Sequence, residues 1–106
     1  MNKILYILLF CFLIAGTDGT IRGKVTSTND GQSLAGVQVF IAEEQIGSVS
    51  DIDGNYLILN VPVGEHELTV NLLGYKTIKA NIDVSMDRTT WYNVGLEISA
   101  IEGETV

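Results

Sequence analysis

Alternation of apolar and polar residues with a period of two runs through most of this chain. It constrains the fold more than any other feature. His66, Leu68, Val70 and Leu72 share one parity, with Glu65, Glu67, Thr69 and Asn71 on the other. Ile78, Ala80, Ile82 and Val84 repeat the pattern against Thr77, Lys79, Asn81 and Asp83. Successive side chains of a strand point to opposite faces, so each run makes a half-buried β-strand, and no stripe of helical period competes. Ile21, Gly23 and Val25, then Val37, Val39 and Ile41, then Ile46 to Ser50, then Tyr92, Val94 and Leu96 add further strands. Tyr56 to Val61 is almost continuously apolar, which predicts a central strand covered on both faces, and Pro62 ends it. Turn residues separate the runs at Asn29-Asp30-Gly31, Asp51 to Asn55, Gly74-Tyr75 and Met86-Asp87-Arg88. Seven short strands at this spacing predict an all-β protein, a seven-stranded antiparallel β-sandwich.

The first residues stand outside this pattern. Met1-Asn2-Lys3 is a short basic start, Ile4 to Ile14 an apolar run, and Ala15 to Gly19 a set of mostly small residues. This is the layout of a secretory signal peptide, expected to occupy residues 1–19 and to be cut after Gly16 or Gly19, with Gly19 favoured. The run is too short for a membrane-spanning helix, which needs about 20 residues. Cys11 follows Phe10, where lipid attachment requires a small residue, so it is expected to leave with the leader. The sandwich is then assigned to residues 20–96, and residues 97–106, which lose the alternation, to a flexible tail or linker.

Charge and residue counts exclude several functions. Six basic against 13 acidic residues give a net charge of −7, the wrong sign for nucleic-acid binding. One Cys forms no internal disulfide, and one His with one Cys does not supply the usual zinc ligand sets. Asp51-Ile52-Asp53-Gly54-Asn55 looks at first like a calcium loop. However, the sixth position is Tyr56 where an EF-hand needs Gly, and the twelfth is Pro62 where it needs Glu. The segment therefore reads as a hairpin turn, with Asp51 capping free amides and Gly54 at positive φ. His66 shares parity with Leu68, which predicts packing and not catalysis. Glu65 and Glu67 fall on the solvent parity, and no nucleophile elbow or phosphate loop is present. No catalytic, metal-binding or cofactor-binding residue is expected, and the chain is not expected to be an enzyme. Trp91 and Phe40 have the opposite parity to their strands' inward residues. Exposed aromatics of this kind stack on sugars or anchor a protein partner.

The motifs taken in order resemble the carboxypeptidase regulatory-like domains. They are Ile21-Arg22-Gly23-Lys24-Val25, Gly31, Leu34-Ala35-Gly36-Val37-Gln38-Val39, Ser50 to Tyr56, Val61-Pro62-Val63-Gly64 and Gly74-Tyr75-Lys76. Ala35 departs from a frequent Pro of that family, and His66 from a frequent Tyr. The resemblance implies a Greek-key sandwich of the transthyretin-like or immunoglobulin-like kind, with Tyr56 and Tyr75 plugging its ends. It does not carry over peptidase activity, because the catalytic domain that names the family is absent from these residues. Such domains often follow the signal peptide of TonB-dependent outer-membrane receptors of Gram-negative cells. The expected role is thus a non-catalytic, exported interaction module in the periplasm or at the outer membrane, the N-terminal domain or a fragment of such a receptor. Its implied partners are the receptor's plug and barrel and the TonB system, with contact to the membrane only through a fused barrel. A carbohydrate-binding module taking an oligosaccharide, or a structural spacer, is the alternative. Glu104-Thr105-Val106 resembles the opening of a TonB box, the short segment such receptors offer to TonB by strand addition. With Trp91 and Phe40 these three residues are the candidate partner contacts, and a box cut short at three residues is expected to bind TonB weakly or not at all.

Overall fold

A computed structural model of the chain describes residues 18–99. The expected leader up to residue 17 and the candidate contacts Glu104, Thr105 and Val106 lie outside the described residues. Eight strands run in the order β1 (Asp18–Ser27), β2 (Gln38–Ile41), β3 (Ile46–Val49), β4 (Asn55–Pro62), β5 (Gly64–Asn71), β6 (Ile78–Val84), β7 (Thr89–Trp91) and β8 (Val94–Leu96). A 3₁₀ turn, Ala42–Glu44, joins β2 to β3. One sheet has the order β4-β1-β7, with β8 also paired to β1, and the other has the order β3-β2-β5-β6. The chain crosses between layers after β1, β3, β4 and β6, so β1 pairs with β4 and β2 with β5. The two sheets close on Ile21, Val25, Val39, Ile41, Ile58, Val61, Leu68, Val70, Val84 and Leu96, each at most 2% exposed. Each such side chain contributes about 1.5–3 kcal/mol on burial.

The sandwich is as expected, but the strand count and pairing differ in one place. The expected seventh strand through Tyr92, Val94 and Leu96 keeps only Val94–Leu96, as β8; β7 forms just before it, Tyr92-Asn93 breaks the two apart, and each pairs in parallel with β1. The break has a side-chain cause. The Lys24 amide donates to Asn93 Oδ1 at 2.9 Å, so a side chain fills a place in the ladder. Gly23 faces this break, and a Cβ there would lie 1.9 Å from the Tyr92 carbonyl oxygen. The Tyr56 hydroxyl, from β4, donates to that same oxygen at 2.5 Å. Tyr56 thus bridges the first and last strands of its sheet rather than simply plugging an end.

Tyr56–Val61 is not a central strand. β4 is the edge of its sheet, and Leu57 and Leu59 point to solvent at 43% and 58% exposure. The register to β1 shifts between Gly19 and Ile21, where Asn60, at φ 58°, forms a bulge. The extra residue leaves both Leu59 and Asn60 outward and turns Val61 back into the core. The apolar run therefore reflects a bulged strand with an apolar outer face.

β1 begins at Asp18. Gly19 pairs with Val61, and the Asp18 carbonyl accepts from the Asp87 amide at 3.0 Å. At the other end, the expected tail is anchored as far as it is described. The Lys76 amide donates to the Glu97 carbonyl, the Ser99 amide to the Gly74 carbonyl, and the Lys76 ammonium lies 3.2 Å from the Glu97 carboxylate.

The Asp51–Asn55 turn has the expected form. Asp51 Oδ1 accepts from the Asp53 and Asn55 amides at 2.9 Å each, and Gly54 sits at φ 82°. A Cβ at Gly54 would also lie 2.6 Å from the Val25 carbonyl oxygen. Gly54→Val should therefore cost about 3 kcal/mol, whereas Asp53→Ala, which removes only an exposed side chain, should stay within about 0.5 kcal/mol. Urea unfolding midpoints measure both, and equal midpoints would contradict the turn geometry. Burial, reinforced by the neighbouring Tyr92, raises the Tyr56 phenol above its ordinary value of 10.0. A proton held more tightly in the folded state gives stability that is complete below about pH 10 and falls as the pH rises beyond it. The urea midpoint should drop above that pH, and Tyr56→Phe should lessen the drop.

Candidate interaction face

The outer face of the β4-β1-β7 sheet is built by register. Leu57 of β4 stands opposite Arg22 of β1, and Arg22 opposite Trp91 of β7. Odd parity along β1 sends Ile21, Gly23 and Val25 inward, so Arg22 must project outward between the two apolar side chains. Trp91 is 64% exposed, as its parity predicts. The Arg22 guanidinium lies 4.8 Å from the Trp91 ring centroid, a cation–π contact worth about 0.5–1 kcal/mol at an exposed position.

A cleft of about 450 Å³ opens beside this row, bounded by Arg22, Trp91, Leu57, Val49, Asp51 and Asn55. Asp51 spends one oxygen on the turn amides, and the Tyr56 hydroxyl is taken by Tyr92. The single His of the chain, His66, sits in the other sheet. Among the described residues the cleft joins no nucleophile to a base. A second cleft of about 320 Å³, edged by Thr20, Leu59, Asn60, Arg88 and Thr89, continues along the same strands.

Phe40 is not part of this face. It lies half-buried on the opposite sheet, facing away from the core residues Val39 and Ile41. Gly47, its β3 neighbour in register, leaves it room, since a Cβ there would come within 2.6 Å of Phe40 Cβ. The two aromatics singled out by parity are therefore on different faces. Arg22, Leu57 and Leu59 were not singled out. Arg22 follows from the parity of β1, but the two leucines required knowing that β4 is a bulged edge.

The model of the CarboxypepD_reg-like domain matches residues 21–106. The chain belongs to the carboxypeptidase regulatory-like domain family. Over 82 residues it is 38% identical to the TonB-dependent receptor P3 of Formosa agariphila, covering 72% of this chain and 8% of the receptor. This domain thus spans a small fraction of that relative. Among solved structures, the Bacillus anthracis TIE protein superposes with a TM-score of 0.63 at 16% identity, over 77% of this chain and 17% of that one. A type II cohesin–X-dockerin complex from Acetivibrio cellulolyticus superposes at 0.57 and 21% identity, over 72% of this chain and 52% of that one. An Acinetobacter radioresistens catechol 1,2-dioxygenase superposes at 0.60 and 15% identity, over 82% and 54%. At these identities the likeness is one of fold, and the dioxygenase implies no activity here. The family is a regulatory-like, non-catalytic one, and the receptor relative associates this regulatory-like domain with TonB-dependent receptors.

Arg22 already occupies one side of the Trp91 ring, which reduces the surface open to a sugar. Trp91 is the single Trp of the chain, so its emission reports on this face alone. Oligosaccharides should leave that emission unchanged. Saturable quenching that disappears in Trp91→Ala would establish sugar binding instead.

Proposed function

We propose that this chain is the exported, N-terminal interaction domain of a TonB-dependent receptor, and that it contacts another part of that receptor through the outer face of the β4-β1-β7 sheet. The 38% identity to a receptor of which this domain spans only 8% carries the reading. A domain of this size in a much larger membrane assembly has its own partner close at hand, at a high effective concentration. The row Leu57–Arg22–Trp91 fits such a contact. An apolar and aromatic centre with an arginine, bordered by polar Thr20, Asn55 and Thr89, has the composition of a protein interface core with its rim. The basic start and apolar run of residues 1–14 support export, and the location proposed is the periplasmic side of the outer membrane. The TonB-box character of Glu104-Thr105-Val106 supports the same context.

Site-specific photo-crosslinking in the cell that makes the protein tests this directly. A photoreactive residue at Leu57 should give an adduct in the outer-membrane fraction that mass spectrometry identifies as TonB-dependent receptor sequence. The same group at Glu65, on the solvent side of β5, should not. Adducts only with cytoplasmic proteins, or equal receptor adducts from both positions, would refute the proposed face.

A further inference from the structure

His66 is 7% exposed and sits on the inner parity of β5. Its Nε2 lies 2.6 Å from the Pro62 carbonyl oxygen. A carbonyl can only accept, so Nε2 carries the proton and donates. In the neutral ring Nδ1 is then a bare lone pair, and it is buried with no hydrogen-bond partner among the described residues. An acceptor left in this state costs about 1–3 kcal/mol in lost solvation. A buried polar atom of this kind calls for a physical reason.

The neighbouring 3₁₀ turn supplies one. The turn leaves the end of β2, whose last pair with β5 is Phe40 with Thr69, and so carries Glu43 and Glu44 to the His66 end of β5. One ligand atom from each of Glu43, Glu44 and His66 lies within 4.8 Å of the other two. Both carboxylates are exposed, and among the described residues neither is paired with a lysine or arginine. Two carboxylates without a cationic partner therefore stand within reach of an imidazole that has one nitrogen unsatisfied.

We propose that Glu43, Glu44 and His66 bind a divalent transition-metal ion of the zinc class, through His66 Nδ1 and one oxygen from each glutamate, with water completing the shell. Mixed nitrogen and oxygen ligands suit such ions. A ligating histidine characteristically donates its other N–H to a backbone carbonyl or carboxylate, which fixes its tautomer and raises its basicity. Pro62 already makes that contact. Ligands about 2.1 Å from a tetrahedral ion stand about 3.4 Å apart, so the widest allowed gap closes by about 1.4 Å. Two surface glutamates cover that distance by side-chain rotation alone. The count of one His and one Cys ruled out the usual zinc sets, but it does not reach a site of one imidazole and two carboxylates. The β5–β6 ladder runs through His66 without the ion, so the ion binds to a sandwich already folded. The site is on the other sheet from the Trp91 face and is independent of the receptor reading.

The test is to titrate zinc chloride into the tag-free full chain, following binding by calorimetry and the imidazole nitrogens by long-range ¹H–¹⁵N NMR. Because His66 is the single histidine, its two nitrogens are read without ambiguity. One equivalent should bind saturably, moving the Nδ1 resonance away from that of an unprotonated nitrogen while Nε2 keeps its N–H character. The double variant Glu43→Gln/Glu44→Gln, changed only at exposed positions, should weaken binding at least about 10-fold. The double variant Glu65→Gln/Glu67→Gln should bind as the parent does. Absence of binding at millimolar zinc would overturn the proposal. So would binding that leaves the His66 nitrogens unmoved, or that the Glu43/Glu44 variant retains or both variants lose alike.

Discussion

The close approach of the Tyr92 carbonyl to Gly23 is the contact on which the first sheet depends. Any side chain at Gly23 would occupy the space where that oxygen sits. Because the space is free, β1 can take β4 on one side and β7 and β8 on the other. The Tyr56 hydroxyl donates to the oxygen so exposed, and Asn93 fills the ladder position that the break leaves open. A glycine, a tyrosine and an asparagine from three distant parts of the sequence thus solve one problem together. The result is a central strand paired on both sides through its middle, and an aromatic, Trp91, placed in register beside Arg22 on the outer surface.

Much of the fold was legible because period-two alternation is a direct image of the pleat. Leu68 and Val70 in β5, and Ile82 and Val84 in β6, are buried where their parity put them, and Glu65 and Glu67 are exposed. The turn at Asp51–Asn55 was legible for a different reason, since an aspartate and a glycine at that offset encode their own local bonds. What could not be read was anything that depends on partners. Tyr56–Val61 carries apolar residues on both faces, and only the pairing to β1 shows that one face is solvent and that Asn60 is an added residue. The parallel attachment of β7 and β8 likewise has no local signature, because the strand they pair with lies some seventy residues earlier.

The candidate surfaces divide in the same way. Trp91 was found by parity and is exposed, and Phe40 was found by parity and belongs to the opposite sheet. Arg22 and Leu57 join Trp91 only through cross-strand register, which no single segment contains. Ser50 shows the limit from another side. Its hydroxyl accepts from the Val37 amide and donates to the Leu34 carbonyl, satisfying the chain where it enters β2. In the sequence it was one letter in a family motif, and its meaning lies in the two backbone groups it serves. His66 read correctly as a packed residue, but packing accounts for only one of its nitrogens.

The pairing of β1 with β7 and β8 also sets an order of events. The Lys24 amide finds its partner on Asn93, 69 residues later in the chain. The first strand of the domain to leave a ribosome must therefore wait for almost the whole domain before its sheet can close. Contacts of such long sequence separation form slowly, because the loop they close must be ordered before it is rewarded. A sandwich whose opening strand is completed by its closing ones locks only after the last of the domain has been made.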